Sequence, residues 1–152
     1  MPAKKLKEFL DENKVKYVVL THSTAYTALE IAAAAHIRGK ELAKTVMILI
    51  DGKMAMAVLP AKYTISFEHL QKKLGAQKIE LAAEGQFKDK FPDCEVGAMP
   101  PFGNLYGMDV FVDQSLTEDE EIAFNAGSHS ELIRMSYGDF ARLVKPIVVQ
   151  FS

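Results

Sequence analysis

The sequence predicts one α+β domain spanning residues 1–152, with helices flanking a mixed, curved or barrel-like β-sheet. Three observations lead to that class. The chain has 152 residues, 49% hydrophobic and 25% charged, with a mean hydropathy of +0.01; these values suit one compact core and exclude disorder or a fibrous repeat. Strand patterns outnumber β-α-β crossovers, which disfavours a doubly wound parallel sheet. Asp51-Gly52 separates two β-compatible runs and marks a hairpin at the centre of a sheet.

Each element has a local reason. Leu6, Phe9 and Leu10 recur at helical spacing among lysines and acids, so residues 3–13 form an amphipathic helix. Val15 to Leu20 follows as a short strand. Thr27 and Glu30 make a capping-box pattern ahead of the alanine-rich run Ala28 to Ala35, a helix with little side-chain bulk. The segment AKTVMILIDGKMAMAVL, residues 43–59, is the hairpin, and Met47, Met54 and Met56 within it read as core packing. Ser66 caps a second amphipathic helix that sets Phe67, Leu70 and Leu74 on one face and stops at Gly75. Lys78 to Leu81 is a strand, Ala83 to Lys90 a short helix, and 91–107 a loop rich in glycine and proline. Met108 to Val112, Ile122 to Ala126 and Leu132 to Met135 are strands. Ser136 and Asp139 open a last helix to about Val144, and Ile147 to Phe151 is a terminal strand.

The net charge of −2 argues against a protein that grips a long stretch of DNA or RNA, because such binding requires many cations to displace phosphate counterions. The charge is uneven. Residues 1–90 hold 15 Lys and Arg against 10 Asp and Glu, and residues 91–152 hold 3 against 10. A basic first part suits a local anchor for an anion or, equally, one solvated face. The single cysteine, Cys94, excludes an internal disulfide and fits a reducing compartment. The N-terminus has no apolar signal-peptide stretch and no apolar run approaches the ~18 residues that cross a bilayer, so a cytoplasmic protein without a membrane partner is expected.

Three places break the rules of a plain core. Lys44 lies one residue into the otherwise buried run Ala43 to Ile50, where its ammonium either snorkels to water or faces an anion. VGAMPPFGNLYG, residues 96–107, combines three glycines with two prolines; such a loop is either a rigid surface turn or a frame of fixed main-chain N–H groups around an ester or carbonyl oxygen. Asn125-Ala126-Gly127-Ser128-His129 follows a strand directly, and His129 there either orients a substrate or caps the next strand. Cys94 with His129 makes a thiol and base on paper, but nothing in the sequence activates the thiol. His22, His36, His69 and His129 lack metal-ligand spacing, and no nucleotide-binding glycine motif is present, so neither metal nor cofactor is expected.

Taken in order, TALEIAAAAHIRGKELAKTVMILIDGKMAMAVLP, ISFEHLQKKLGAQKIELA, VGAMPPFG, VFVDQSL and IAFNAGSHSELIRMSYGDFARL resemble the YbaK-type aminoacyl-tRNA deacylases, relatives of the editing domain of bacterial prolyl-tRNA synthetases. The resemblance covers nearly the whole chain. It implies trans-editing: hydrolysis of the ester joining a wrong, small amino acid (Ala, Cys, Ser or Thr, with tRNA-Pro one carrier) to the 3′ end of a tRNA. Lys44 would hold the phosphate or ribose of the terminal nucleotide, with Thr45 beside it. Gly97, Ala98, Met99, Pro100 and Pro101 match the GxxxP motif and would contact the aminoacyl group through their backbone. Gly127, Ser128 and His129 would line the amino-acid pocket. Water would attack with help from the tRNA's own ribose hydroxyl, so no dedicated nucleophile is required. The implied partner is the acceptor end of mischarged tRNA, with a synthetase as a second candidate and no DNA. His36 stands where glycine is common in the family, and FPDCE replaces the usual approach to the loop. The other readings are a non-catalytic aminoacyl- or nucleotide-binding module on the same scaffold, and a hydrolase of a different small ester.

Overall fold

The structure is a computed structural model and describes residues 4–21, 41–91, 94–95 and 98–151. The expected Ala28–Ala35 helix and its Thr27 cap, together with His22, His36 and Gly97, lie outside the described residues.

Helix α1 (Lys4–Glu12) buries Leu6 and Leu10 as its spacing requires, and leaves Lys4 and Lys5 exposed while Lys7 is half-buried beside Glu131. Strand β1 (Tyr17–Thr21) begins two residues later than expected, because Lys14 takes a left-handed φ of 56° and Val15 turns into the core. β2 (Ala43–Ile50) and β3 (Lys53–Pro60) form the hairpin, with Asp51 at φ 49° and Gly52 at φ 85°. Two successive positive φ values match the twist of the flanking strands. Asp51 does more than turn the chain. Its carboxylate accepts from the backbone N–H of Gln77 at 3.0 Å and of Lys78 at 2.8 Å, which fixes the next strand against the hairpin.

Helix α2 (Phe67–Leu74) is capped as its sequence dictates. The Ser66 hydroxyl accepts from the His69 N–H, and Gly75 closes the helix at φ 65°. Strand β4 (Ile79–Leu81) follows, then α3 (Glu84–Phe87), which continues as a 3-10 turn over Lys88–Lys90 rather than one helix. β5 (Asp109–Asp113), β6 (Glu121–Asn125) and β7 (Glu131–Ser136) precede helix α4 (Tyr137–Val144), where Ser136 accepts from the Asp139 N–H. β8 (Ile147–Val149) is shorter than the expected terminal strand.

The strands form two sheets. One is antiparallel, in the order β1-β7-β6; the other is mixed, in the order β4-β2-β3-β5-β8, with the hairpin central as expected. The sheets do not close into a barrel. Among the described strands their ladders meet at one parallel bridge, Leu42 with Ala123, reinforced by the Ala123 N–H donating to the Glu41 carbonyl at 3.0 Å. The main core lies between the sheets and α1 and α4, and holds Met47, Met56, Phe102, Phe124 and Phe140. A second core under α2 is closed by Phe151, whose N–H donates to the buried Asp113 carboxylate at 2.8 Å. Among the described residues no helix is long and apolar enough to cross a membrane.

Candidate active site

Strand periodicity settles where Lys44 and Thr45 point. Ala43 and Met47 enter the main core, whereas Val46 and Ile48 pack in the core under α2. With a side-chain period of two, Thr45 shares the first face and Lys44 the second. Their cross-strand partners agree: Val58 opposite Thr45 is in the main core, and Leu59 opposite Lys44 is in the other. The two neighbours in sequence are therefore separated by the sheet. Lys44 is half-buried, and loss of hydration pushes its ammonium below the ordinary lysine range. No carboxylate among the described residues forms a salt bridge to it within 4.0 Å.

Lys44 stands two residues beyond the Leu42–Ala123 bridge, and Asn125 stands two residues beyond it on the parallel strand β6. Past the bridge β2 continues into the five-stranded sheet while β6 ends. Lys44 and Asn125 therefore stand at equivalent positions just past the bridge that joins the two sheets.

The glycine-rich loop is laced to the same segment. The Gly127 N–H donates to the Ala98 carbonyl at 2.9 Å, and the Glu95 N–H donates to the Gly127 carbonyl at 2.7 Å. Gly127 has a φ of 90°, a conformation open to glycine. His129, 8% exposed, sets Nε2 3.9 Å from a Glu95 carboxylate oxygen, and Ser128 Oγ lies 3.4 Å from Ser130 Oγ. The structure thus brings Ala98, Gly127, Ser128 and His129 together.

It also limits what the loop can offer. The Ala98 N–H already donates to the Glu95 carbonyl, the Pro100 carbonyl accepts from Phe102 N–H, and prolines 100 and 101 have no N–H. Met99, Pro100 and Pro101 are buried rather than set on a surface turn. Phe102 then anchors the loop at 5.4 Å from the Phe140 ring and 5.6 Å from that of Phe124. Lys5 holds the far end by donating to the Leu105 carbonyl at 2.7 Å. The loop is a rigid wall. Ala98, Pro100 and Pro101 therefore offer no free main-chain N–H.

The family model described as the aminoacyl-tRNA editing domain matches residues 22–143. The chain belongs to that family. The Multifunctional Ser/Thr-tRNA deacylase ProXp-y of Escherichia coli (strain K12) is 27% identical over 150 residues, covering 93% of this chain and 87% of that protein. The Prolyl-tRNA editing protein ProX of Acetoanaerobium sticklandii is 27% identical over 143 residues, covering 90% and 86%. A solved candidate trans-editing enzyme for prolyl tRNA synthetase superposes with a TM-score of 0.83 at 18% identity, over 99% of this chain and 96% of that one, a likeness of fold. This editing domain is accordingly an aminoacyl-tRNA deacylase.

Sequence reading alone does not single out Glu95 or Arg134 in this editing domain. Glu95 faces His129 only because the loop folds back, and nothing local in FPDCE signals it. Asn125 and Arg134 lie on the strand face that also carries Leu132 and Ala123, opposite the core face of Phe124 and Ile133. Arg134 carries the same signal as Lys44, a cation inside an apolar strand. Cys94 Sγ, in contrast, lies 4.0 Å from the Tyr106 hydroxyl, in a corner of the loop. Among the described residues no three His, Cys, Asp or Glu side chains converge as metal ligands.

Proposed function

We propose that this deacylase acts in trans on tRNA charged with a wrong small amino acid, with serine and threonine foremost and alanine and cysteine after them. The observation that carries the reading is Lys44: a half-buried cation without a carboxylate partner among the described residues, just past the bridge that joins the two sheets. Such a group gains most from an anion brought by the ligand. The names of the two relatives, a Ser/Thr-tRNA deacylase and a prolyl-tRNA editing protein, support the substrate class and tRNA-Pro as one carrier.

In this reading Lys44 holds the phosphate or ribose of the terminal adenosine, with Thr45 supporting its strand from the core side. Gly97 and residues 98–101 wall one side of the ester, while Gly127, Ser128 and His129 bound the amino-acid side chain. Water attacks the ester carbonyl carbon, and the substrate's ribose hydroxyl assists by orienting it. The carbon–oxygen bond to the tRNA breaks, the ribose oxygen takes a proton, and a free amino acid leaves. An aminoacyl ester is already activated, so positioning and stabilisation of the developing oxyanion supply the rate. A second hydrolytic step is what small amino acids require, since binding rejects a missing methylene by only about 10–200-fold. A synthetase that releases mischarged tRNA is the natural supplier of substrate.

Single-turnover assays on Ser-, Thr-, Ala- and Cys-charged tRNA test this. Ester loss well above the spontaneous rate for at least one of them is expected. Binding with no ester loss on any would replace the enzyme by a binding module, and cleavage of free amino-acid esters independent of tRNA would make it a general esterase. Gly97→Val should block the ester's approach, and His129→Ala should change the ratio of rates among the four amino acids.

A further inference from the structure

Glu95 is held by its main chain on both sides. Its N–H donates to the Gly127 carbonyl at 2.7 Å, and its carbonyl accepts from the Ala98 N–H at 3.1 Å. The Gly127 N–H donates in turn to the Ala98 carbonyl at 2.9 Å, which closes a triangle between the loop and the segment after β6. The backbone of Glu95 is thus fixed against the two stretches that the deacylase reading sets around the aminoacyl group. Its carboxylate oxygen Oε2 lies 3.9 Å from His129 Nε2.

Three properties mark this carboxylate as a ligand contact. Among the described residues of 94–101 and 125–130 it is the one acidic side chain, and Glu131, next along the chain, is already 3.9 Å from the Lys7 ammonium. The His129 side chain is 10% exposed and that of Glu95 is 52% exposed, so of the two it is the carboxylate that an incoming group reaches. A pair 3.9 Å apart, beyond hydrogen-bond distance and with one partner open to water, does little to hold the fold together. The substrate class supplies the complement. Every aminoacyl ester carries an α-amino group one carbon from the ester, whatever its side chain, and this cation needs a counter-charge where water is displaced.

We propose that Glu95 binds the α-ammonium of the aminoacyl group. Its carboxylate accepts hydrogen bonds from that group and favours the protonated form, which keeps an electron-withdrawing charge beside the ester carbon under attack. The contact is the same for every amino acid. Glu95 therefore separates aminoacyl esters from other acyl esters, and leaves discrimination among amino acids to the residues around their side chains. The inference rests on the deacylase reading for the identity of the ligand.

The test compares two esters on one tRNA. Of serine, threonine, alanine and cysteine, the amino acid released fastest is set against its α-hydroxy counterpart, such as glycerate for serine or lactate for alanine. Each single-turnover rate is divided by the spontaneous rate of the same ester, because the α-ammonium also activates the ester without the protein. Wild type should favour the amino ester about tenfold, the scale of one charge-assisted hydrogen bond. Glu95→Gln, which keeps the shape of the side chain, should lose about tenfold on the amino ester and nothing on the hydroxy ester. Equal wild-type enhancement of the two esters overturns the proposal without need of any variant. So does a Glu95→Gln that slows both alike, the result expected if Glu95 only supports His129 or the loop, or one that keeps full preference. Failure of wild type to accelerate either ester would instead remove the deacylase reading on which the proposal stands, and the proposal with it.

Discussion

Asp113 and Lys44 are both charged residues on central strands of the five-stranded sheet, and the protein treats them in opposite ways. Asp113 is 1% exposed, and its carboxylate accepts from the Ser115 N–H, the Ser115 hydroxyl and the Phe151 N–H. Lys44 is half-buried and its dehydrated ammonium has no salt bridge among the described residues. The fold satisfies the charge it uses to hold itself together. The charge without a salt bridge among the described residues is the one proposed to meet the ligand.

Breaking the first half of that contrast has the largest effect. Asp113→Ala strands the Phe151 and Ser115 donors and should cost about 3 kcal/mol in urea denaturation. If stability is unchanged, the carboxylate does not close the second core. Lys44→Ala should do the reverse: deacylation of mischarged tRNA falls about 100-fold, with the urea midpoint the same or higher. Full activity would remove Lys44 from the site. Gly103→Ala sharpens the picture of the loop as a wall, since a Cβ there meets the Met108 carbonyl oxygen and Val110 Cγ2 at 2.7 Å each. It should destabilise by roughly 1–3 kcal/mol; a neutral result would show that the loop gives way.

The smallest effect is the most specific to Lys44. Burial lowers its pKa in the folded state, so the unfolded chain binds that proton more tightly. The resulting deficit in stability is complete below the folded-state pKa and shrinks as pH rises toward the ordinary value of 10.5. Wild type should therefore be slightly less stable than Lys44→Met at neutral pH, with the gap narrowing in alkaline solution. A gap independent of pH would assign the difference to packing instead.

Much of this was legible in the sequence because it is local. Asp51-Gly52 specifies the hairpin, Ser66 and Ser136 specify helix starts, and a lysine in AKTVMILI stands out against its neighbours. That Thr45 and Lys44 face opposite ways also follows from the strand period. What the sequence does not carry is long-range pairing. β1 joins β7 across more than a hundred residues, and β3 lies parallel to β5, so neither the split into two sheets nor the seam between them has a local signature. The contact of Glu95 with His129 depends on the same closure.

The seam has a mechanical meaning. Within each sheet, neighbouring strands are riveted by a ladder of hydrogen bonds, yet the described strands of the two sheets are pinned to each other at Leu42 and Ala123 alone. In the proposed site Lys44 and residues 125–129 belong to different sheets, so the way the sheets are set about that bridge fixes the space between them. Substitutions at Phe102, Phe124 or Phe140, deep in the shared core, should then change the size of amino acid the proposed site admits without touching a residue that lines it.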